Sequence, residues 1–205
     1  MATVMLDITM SLDGYITGPD DDPENGLGLR GGEHLHDWLF TGDTPSRLNP
    51  DFKSDARSLE VFEELFGRTG AAVVGRRMFE LAGRWGGEFP MKGFPVFVVT
   101  HEPPADFGGT TTFRFVTDGI ESAIEQAKAA AGDKIVYVGG GASIAQQALN
   151  AGLVDEIQIH IAPVLLGAGR RLFDNVAPDE AIWLEQERVL DAPGIAHIRY
   201  RIPTR

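Results

Sequence analysis

A run of three glycines lies where an apolar segment meets the start of a predicted helix. The segment VGGGAS extends from Val138 to Ser143, with the glycines at 139–141 and the helix starting near Ala142. Glycines leave no side chain between the backbone and an approaching phosphate, and a helix start offers unpaired N–H groups. A tight turn, the alternative, needs only one residue at positive φ. Three consecutive glycines therefore favour a phosphate cradle without proving it.

A second candidate segment, VVGRR, places Gly75 before Arg76 and Arg77 at another predicted strand end. A phosphate bound there would meet backbone donors, a helix start and a guanidinium fork. Alternatively, the two arginines are solvated surface residues beside the acidic Glu80 and Glu88. The segment alone does not distinguish these two interpretations.

The third candidate is a carboxylate, Asp7, which interrupts the apolar N-terminal strand LDITM. A carboxylate on a core strand is costly unless it is paired, kept neutral or directed into a cavity, so Asp7 is a candidate catalytic residue. Its alternative is an edge-strand aspartate in contact with water. Asp13 and Gly14 follow at the end of this strand, where a turn is the simpler interpretation.

Other polar residues carry weaker signals. His34 and His36 are two residues apart on a predicted short helix and would make a poor metal pair, and the chain has no cysteine, so we expect no metal site. His160, on the predicted strand IQIHIAP, is more typical of a solvent-side or packed histidine than of a catalyst.

Composition excludes several classes of protein. The 205 residues carry a formal net charge of -12, which disfavours nucleic acid as a partner. No apolar run approaches the ~20 residues that span a bilayer, and we see no signal peptide, so we expect no membrane partner. These features, together with the missing cysteines, fit a cytoplasmic protein.

Predicted strands alternate with predicted helices along the chain. This pattern indicates a single α/β domain over residues 1–205, with a mixed, mainly parallel sheet and an antiparallel pair of C-terminal strands. We expect a helix capped at its C-terminus by Gly67, a later helix opened by a capping box of Asp118 and Glu121, and a long loop from Thr17 to Gly32. Ligands of such sheets lie beyond the carboxyl ends of the strands, where the candidate segments fall.

Five fragments in this order and spacing resemble the dihydrofolate reductase-like superfamily, and most closely its bacterial RibD C-terminal-domain branch, the pyrimidine reductase of riboflavin biosynthesis. The resemblance extends from about Thr3 to about Tyr200 and implies a three-layer α/β fold. The fragments are SLDGYI, VVGRRMFE, VFVVTH, VYVGGGASIAQQAL and VDEIQIHIAPVLLGAGRRLF.

The resemblance implies NADPH stretched across the strand ends, with Arg76 or Arg77 at the 2′-phosphate and the glycine triplet at the pyrophosphate. It also places Asp7 beneath the nicotinamide and the substrate, and makes Trp38 the candidate substrate contact. The residues implied for the cofactor are Asp13, Gly14, Gly75, Arg76, Arg77, Met78, Thr100, His101, Val138, Gly139, Gly140, Gly141, Ala142 and Ser143.

The chain also departs from the pattern of these families. Dihydrofolate reductases carry a carboxylate three residues before an aromatic on their first helix, and that position is Leu35 here, before Trp38. Ala142 stands where a basic residue often follows the glycines, so backbone donors would hold the phosphate. The zinc-binding motif of the deaminase domain is absent, so we expect this chain to supply only the reductase half.

The sequence therefore predicts an NADPH-dependent oxidoreductase acting on a small pyrimidine- or pterin-like heterocycle, similar to 5-amino-6-(5-phosphoribosylamino)uracil reductase. Two alternatives remain: a nucleotide- or flavin-binding module without turnover, and, less favoured because of Leu35, a dihydrofolate reductase proper. Related reductases and the apolar C-terminal strands also favour a homodimer. We expect Asp7 to be the acid or the substrate anchor, and the loop after Thr17 to act as a lid.

Overall fold

The computed structural model describes residues 2–108, 112–177 and 181–203. Its main element is a sheet of eight strands in the order β11-β12-β9-β1-β8-β5-β6-β7. Two further pairs, β10 with β2 and β3 with β4, form small antiparallel sheets. The strands are β1 (Thr3–Ser11), β2 (Tyr15–Thr17), β3 (Thr44–Pro45), β4 (Lys53–Ser54), β5 (Thr69–Gly75), β6 (Val96–Val99), β7 (Phe113–Val116), β8 (Ile135–Val138), β9 (Glu156–Ala162), β10 (Arg170–Arg171), β11 (Glu185–Ala192) and β12 (Ile195–Arg201).

The main sheet is parallel from β7 through β9, and β12 then pairs antiparallel with both β9 and β11. This confirms the predicted mixed sheet with antiparallel C-terminal strands. The helices are α1 (Ala56–Arg68), α2 (Arg76–Leu81), α3 (Ile120–Ala131) and α4 (Ala142–Asn150).

Helices cover both faces of the sheet and give three layers. Side chains of α3 and α4 pack with Val4, Leu6 and Ile8 of β1 in one apolar cluster. Side chains of α1 and α2 pack on the opposite face in a second cluster that includes Met5. Because successive strand residues point to opposite faces, Asp7 shares the α1 face with Met5.

Three local predictions were wrong. Gly67 lies inside α1, which ends at Arg68 and passes directly into β5, so the tertiary connection and not glycine ends the helix. The predicted capping box does not form, since Gly119 is the N-cap of α3 and no side chain caps it. The predicted short helix that carries His34 and His36 is two 3₁₀ turns, Gly32–His34 and Asp37–Leu39.

The position of Gly67 inside α1 predicts the effect of one substitution. A Cβ at Gly67 would meet no atom within 4 Å, and its φ is not in the left-handed region. Gly67→Ala should therefore raise the free energy of unfolding by about 0.5–1 kcal/mol, because alanine restricts the unfolded chain. Urea unfolding measures this change; a loss of stability of similar size would instead indicate a capping glycine.

Candidate active site

Three of the predicted segments meet in one cavity of about 910 Å³. The wall includes the residues that follow β5, the pair after β6 and the segment that joins β8 to α4. Parallel strands bring their carboxyl ends to one edge of the sheet, which is why segments far apart in sequence converge here. The predicted cofactor residues in this wall are Gly75, Arg76, Arg77, Met78, Thr100, His101, Gly139, Gly140, Gly141, Ala142 and Ser143.

The three consecutive glycines lie in three different structural environments. A Cβ at Gly139 would lie 2.3 Å from the ring of Tyr137, and Gly140 has a φ of +110°, which disfavours any side chain. Gly141 has an ordinary φ of -76°, and a Cβ there would meet no atom within 4 Å. Packing against Tyr137 therefore requires the first glycine and the backbone conformation requires the second, whereas the third only leaves open space in the cavity wall, at the N-cap of α4.

Three predicted cofactor residues lie outside the cavity wall. Val138 is fully buried in β8. The Asp13 carboxylate accepts a hydrogen bond of 2.6 Å from the Ser11 hydroxyl and bonds of 3.1 and 2.8 Å from the backbone N–H groups of Leu166 and Gly167. These bonds, that from Ser11 foremost, lower the pKa of Asp13 to about 2. Asp13 and the adjacent Gly14 thus hold the loop after β9, and their proximity to a nicotinamide stays a prediction.

Both arginines of VVGRR are paired with acceptors. Arg76 donates from Nε to Glu80 at 2.6 Å and from Nη1 to the carbonyl of Glu102 at 2.8 Å. The pairing with Glu80 matches the surface alternative, but Arg76 also lines the cavity. Arg77 binds the carboxylate of Asp21 at 2.9 Å. The same carboxylate accepts from Nε of Arg170 at 2.7 Å.

Asp21 anchors the long loop that the sequence predicts as a lid. It is only 8% exposed, and burial by itself would raise its pKa, but hydrogen bonds and charges from Arg77 and Arg170 outweigh this effect and lower it. The loop also folds back on itself, with the N–H of Gly18 bonded to the carbonyl of Leu27 at 2.8 Å. Asp21 and Leu27 both line the cavity, so the loop closes one side of it.

Asp7 is buried at the centre of the sheet. Its strand lies between β8 and β9, which excludes the edge-strand alternative. The Oδ2 atom of Asp7 accepts a hydrogen bond of 2.7 Å from Nε2 of Gln158 and lies 2.9 Å from Nε2 of His160. Gln158 accepts in turn from Arg199 at 2.7 and 2.9 Å. Asp7 lines the cavity as well, so its carboxylate is stabilised by Gln158 and His160 and is also accessible from the cavity.

A chain of hydrogen bonds continues from His160 away from the cavity. His160 Nδ1 lies 2.6 Å from Nδ1 of His197, and His197 Nε2 lies 3.0 Å from the hydroxyl of Ser58 on α1. With Asp7 ionised, each ring can donate toward it: Ser58 to His197, His197 to His160, and His160 to Asp7. With Asp7 protonated, all three bonds can reverse. The chain is therefore complete in both protonation states of Asp7.

Burial keeps two histidines near this chain neutral. Desolvation, followed by repulsion from His160, lowers the pKa of His197 from 6.5 to about 3. The same causes lower the pKa of His36, which lines the cavity, from 6.5 to about 4. Nearby Asp7 opposes both shifts without reversing them.

Trp38 covers the histidine pair. Its ring centroid lies 4.8 Å from that of His160 and 5.0 Å from that of His197, and its indole N–H donates to the Thr9 hydroxyl at 3.2 Å. Trp38 lines the cavity, but its contact with a substrate stays a prediction. Leu35 is fully buried in a small cluster with Trp38 and lies outside the cavity wall, so no side chain takes the place of the folate-binding carboxylate there.

Most of the chain matches one known protein family. Residues 2–193 match the RibD C-terminal domain family. The chain belongs to this family. A relative, the uncharacterized protein YyaP of Bacillus subtilis, is 27% identical over 96% of this chain and 93% of its own length.

Solved structures with the family's fold include a Shewanella sp. PV-4 protein provisionally assigned to riboflavin biosynthesis, with a TM-score of 0.72, 23% identity and complete coverage of both chains. The deaminase/5-amino-6-(5-phosphoribosylamino)uracil reductase of Thermotoga maritima matches with a TM-score of 0.63 and 14% identity, over 98% of this chain and 57% of its own. Dihydrofolate reductase of Enterococcus faecalis, complexed with NADP(H), matches with a TM-score of 0.58 and 15% identity, over 98% and 97% of the chains.

Sequence reasoning missed most of the residues that surround Asp7 in this family member. His160 is 3% exposed, so the solvent-side interpretation is wrong and the packed one is correct, but its partner is a candidate catalytic carboxylate. Gln158 and His197 were not singled out. The alternation of polar residues in IQIHIA was the available signal, because it matches Asp7 and Thr9 across the pair of strands.

Within the described ranges, no group of three or more His, Asp or Glu side chains is arranged to hold a metal ion. Nor does any helix in those ranges combine the length and the apolar character needed to cross a membrane.

The lowered pKa of His197 predicts a pH-dependent stability. In the unfolded chain this histidine binds a proton below about pH 6.5, whereas in the folded chain it does so only near pH 3. The free energy of unfolding is therefore highest above pH 6.5 and falls as the pH drops below that value. Between pH 6.5 and 5, this histidine alone should lower the free energy of unfolding by about 2 kcal/mol. His197→Gln should reduce the fall by that amount in urea unfolding.

The matched control for this experiment is the exposed His34→Gln, which should show the same fall as the parent protein. An unchanged pH dependence in His197→Gln would contradict the assignment of a buried neutral histidine.

Proposed function

We propose that this chain is an NADPH-dependent reductase that delivers a hydride to a small pyrimidine- or pterin-like heterocycle. The observation that carries the proposal is the shared cavity: the strand-end segments with Gly75 and Gly141 line the same space as Asp7. One part of the wall therefore suits an anionic dinucleotide, and another presents a carboxylate for proton transfer. Membership of the RibD C-terminal domain family and the NADP(H) complex of a protein with this fold support the choice of cofactor.

The glycine segment fits the phosphates of such a cofactor. The space in front of Gly141 lies at the N-terminus of α4, whose first turn has no side-chain cap. The N–H groups of that turn and the helix dipole favour an anion. Arg76 and Arg77 line the same cavity and are the candidates for the 2′-phosphate that distinguishes NADPH from NADH. Arg77 would have to share or exchange its present partner, Asp21.

The cofactor would supply the hydride, and the chain would supply the proton. Asp7 is the candidate acid because its carboxylate faces the cavity. After Asp7 gives its proton to the substrate, its carboxylate would be stabilised by the hydrogen bonds from Gln158 and His160, and a proton from solvent that reaches the cavity would restore it. Trp38, packed against both imidazoles, shields them from water.

A binding module without turnover is the second candidate function, and the position of Leu35 supports it. No carboxylate corresponds to the folate-binding position of dihydrofolate reductases, which also makes that specific activity the least supported. The Asp7 carboxylate favours catalysis, because it lines the cavity and can exchange a proton with a bound molecule.

Homodimerisation stays a prediction, and β11 is the candidate contact. This strand forms one edge of the main sheet, and Val189 on it and Trp183 just before it are 55% and 81% exposed. A dimer that covered this edge would bury apolar surface and pair the free edge of the strand.

Gly141→Ala tests the cofactor site. The new methyl group would stand in the space assigned to the phosphates, so NADPH affinity should fall about tenfold or more, which corresponds to about 1.4 kcal/mol or more of overpacking. Stability should not fall, because φ at this position suits alanine. Calorimetric titration measures the affinity, and Gly67→Ala is the matched control that should bind NADPH as the parent does.

Failure of the parent protein to bind NADPH at millimolar concentration would refute the proposed cofactor. Binding to Gly141→Ala with parental affinity would show that the cofactor lies elsewhere in the cavity.

Asp7→Asn tests catalysis. NADPH oxidation against a panel of pyrimidine, pterin and quinone substrates should show turnover in the parent that drops about 100-fold or more in the variant, the usual size of a lost general acid. NADPH affinity should be unchanged, because the phosphates bind elsewhere in the wall. Tight NADPH binding with no oxidation by any substrate would favour the binding module.

A further inference from the structure

A row of five aromatic rings forms part of the cavity wall. The rings are those of Phe40, Phe52, Phe62, Phe66 and Tyr137, and we call them the aromatic row. Neighbouring ring centroids are 5.5, 5.0, 4.8 and 5.1 Å apart in that order. Tyr137 at one end is 8% exposed and Phe40 at the other is 56% exposed, so the row leads from the interior to the surface.

The inner end of the aromatic row lies beside Asp7. Tyr137 pairs with Met5 across β8 and β1, and Asp7 is two residues further along the same face. The charge of Asp7, added to the larger effect of burial, raises the pKa of the Tyr137 phenol. A molecule that reaches Asp7 along the row therefore meets apolar rings first and a single carboxylate at the end.

Every guanidinium that lines the cavity in the described part of the chain is bound to an acceptor outside the row. These are Arg76 and Arg77, next to Gly75, and Arg170, which is tied to Arg77 through Asp21. No lysine in that part of the chain lines the cavity. Within the described residues, the cavity wall therefore offers an incoming anion no lysine and no guanidinium without a partner.

A phosphate ester bound along this row would be poorly stabilised. It carries about -1.5 to -2 charges, loses hydration on entering an apolar wall, and would have to compete with Glu80 or Asp21 for a guanidinium fork. The carboxylate of Asp7 at the inner end would add repulsion. An uncharged planar ring loses little hydration and gains ring-to-ring contacts with the row.

We propose that the substrate of this site is an uncharged, planar heteroaromatic molecule without a phosphate ester, which lies along the aromatic row and directs an N–H or a proton-accepting ring atom at Asp7. The inference rests on the proposed function, because it assigns the glycine side of the cavity to the cofactor. It separates this chain from a reductase of phosphoribosylated pyrimidines, although both share the fold.

Riboflavin and its phosphate ester FMN are the test probes, because they share one planar ring system and differ only in the phosphate. Calorimetric titrations use protein saturated with NADPH, so that the glycine side of the cavity is occupied. Riboflavin should bind at least about tenfold more tightly than FMN. Equal or tighter binding of FMN would overturn the inference, and so would the absence of binding by both probes.

A charge introduced at the mouth of the row tests the physical reason. Phe40→Arg places a guanidinium at the exposed end of the aromatic row, and FMN affinity should rise by about tenfold relative to riboflavin. Phe173→Arg is the matched control, since Phe173 is also exposed, at 41%, but does not line the cavity. An equal effect of both substitutions would show that net charge, and not the row, sets the preference.

The same titrations separate the two proposals. Failure of NADPH to bind would refute the proposed function. The order of the two probes tests the aromatic row when NADPH is bound. Without NADPH, the effect of Phe40→Arg on FMN affinity, compared with that of Phe173→Arg, still shows whether a ligand lies along the row. The substrate pair 5-amino-6-(5-phosphoribosylamino)uracil and its dephosphorylated form should follow the same order as the flavins in NADPH oxidation.

Discussion

The buried carboxylate of Asp7 is the constraint on which the rest of this site depends. A charge at the centre of a sheet is stable only when donors surround it, and here both donors come from β9. Gln158 is held in turn by Arg199, and His160 by His197, both on β12. The antiparallel C-terminal strands are therefore the structural support of the carboxylate as well as the end of the sheet.

Helix α1 completes this support from the other layer. Glu64 binds Arg199 at 2.7 Å and Arg188 at 2.8 Å, and Ser58 lies 3.0 Å from His197. The network connects the carboxylate in the cavity to strands β9 and β12 and then to helix α1 through hydrogen bonds and ion pairs. Such a network is stable because its members satisfy one another, and the loss of one leaves a buried polar group unpaired. The network thus couples the stability of the fold to the protonation of the site.

Positively charged, apolar and negatively charged side chains occupy different parts of the cavity wall. The guanidinium groups lie with the glycines and are balanced by Glu80 and Asp21, whereas the aromatic row has apolar walls and ends at Asp7. In a chain of net charge -12, this arrangement concentrates positive charge where an anionic cofactor would bind. The Asp21 carboxylate, which belongs to the long loop, is paired with Arg77. An anion that bound Arg77 would compete with Asp21, so anion binding and movement of the loop would be linked.

The sequence by itself determined the sheet, the strand ends and the family, because apolar runs, glycines and their order along the chain are local properties. It did not determine the ends of α1 and α3, where the connection to β5 and the turn at Gly119 override local capping signals. Only the tertiary structure decided which residues surround Asp7, because His160 and His197 reach it through strand register. It also showed that Gly139 makes room for the Tyr137 ring and that Gly140 adopts a positive φ, while Gly141 leaves room for a ligand. These differences lie in the orientation of a neighbouring side chain and in dihedral angles, and not in residue type.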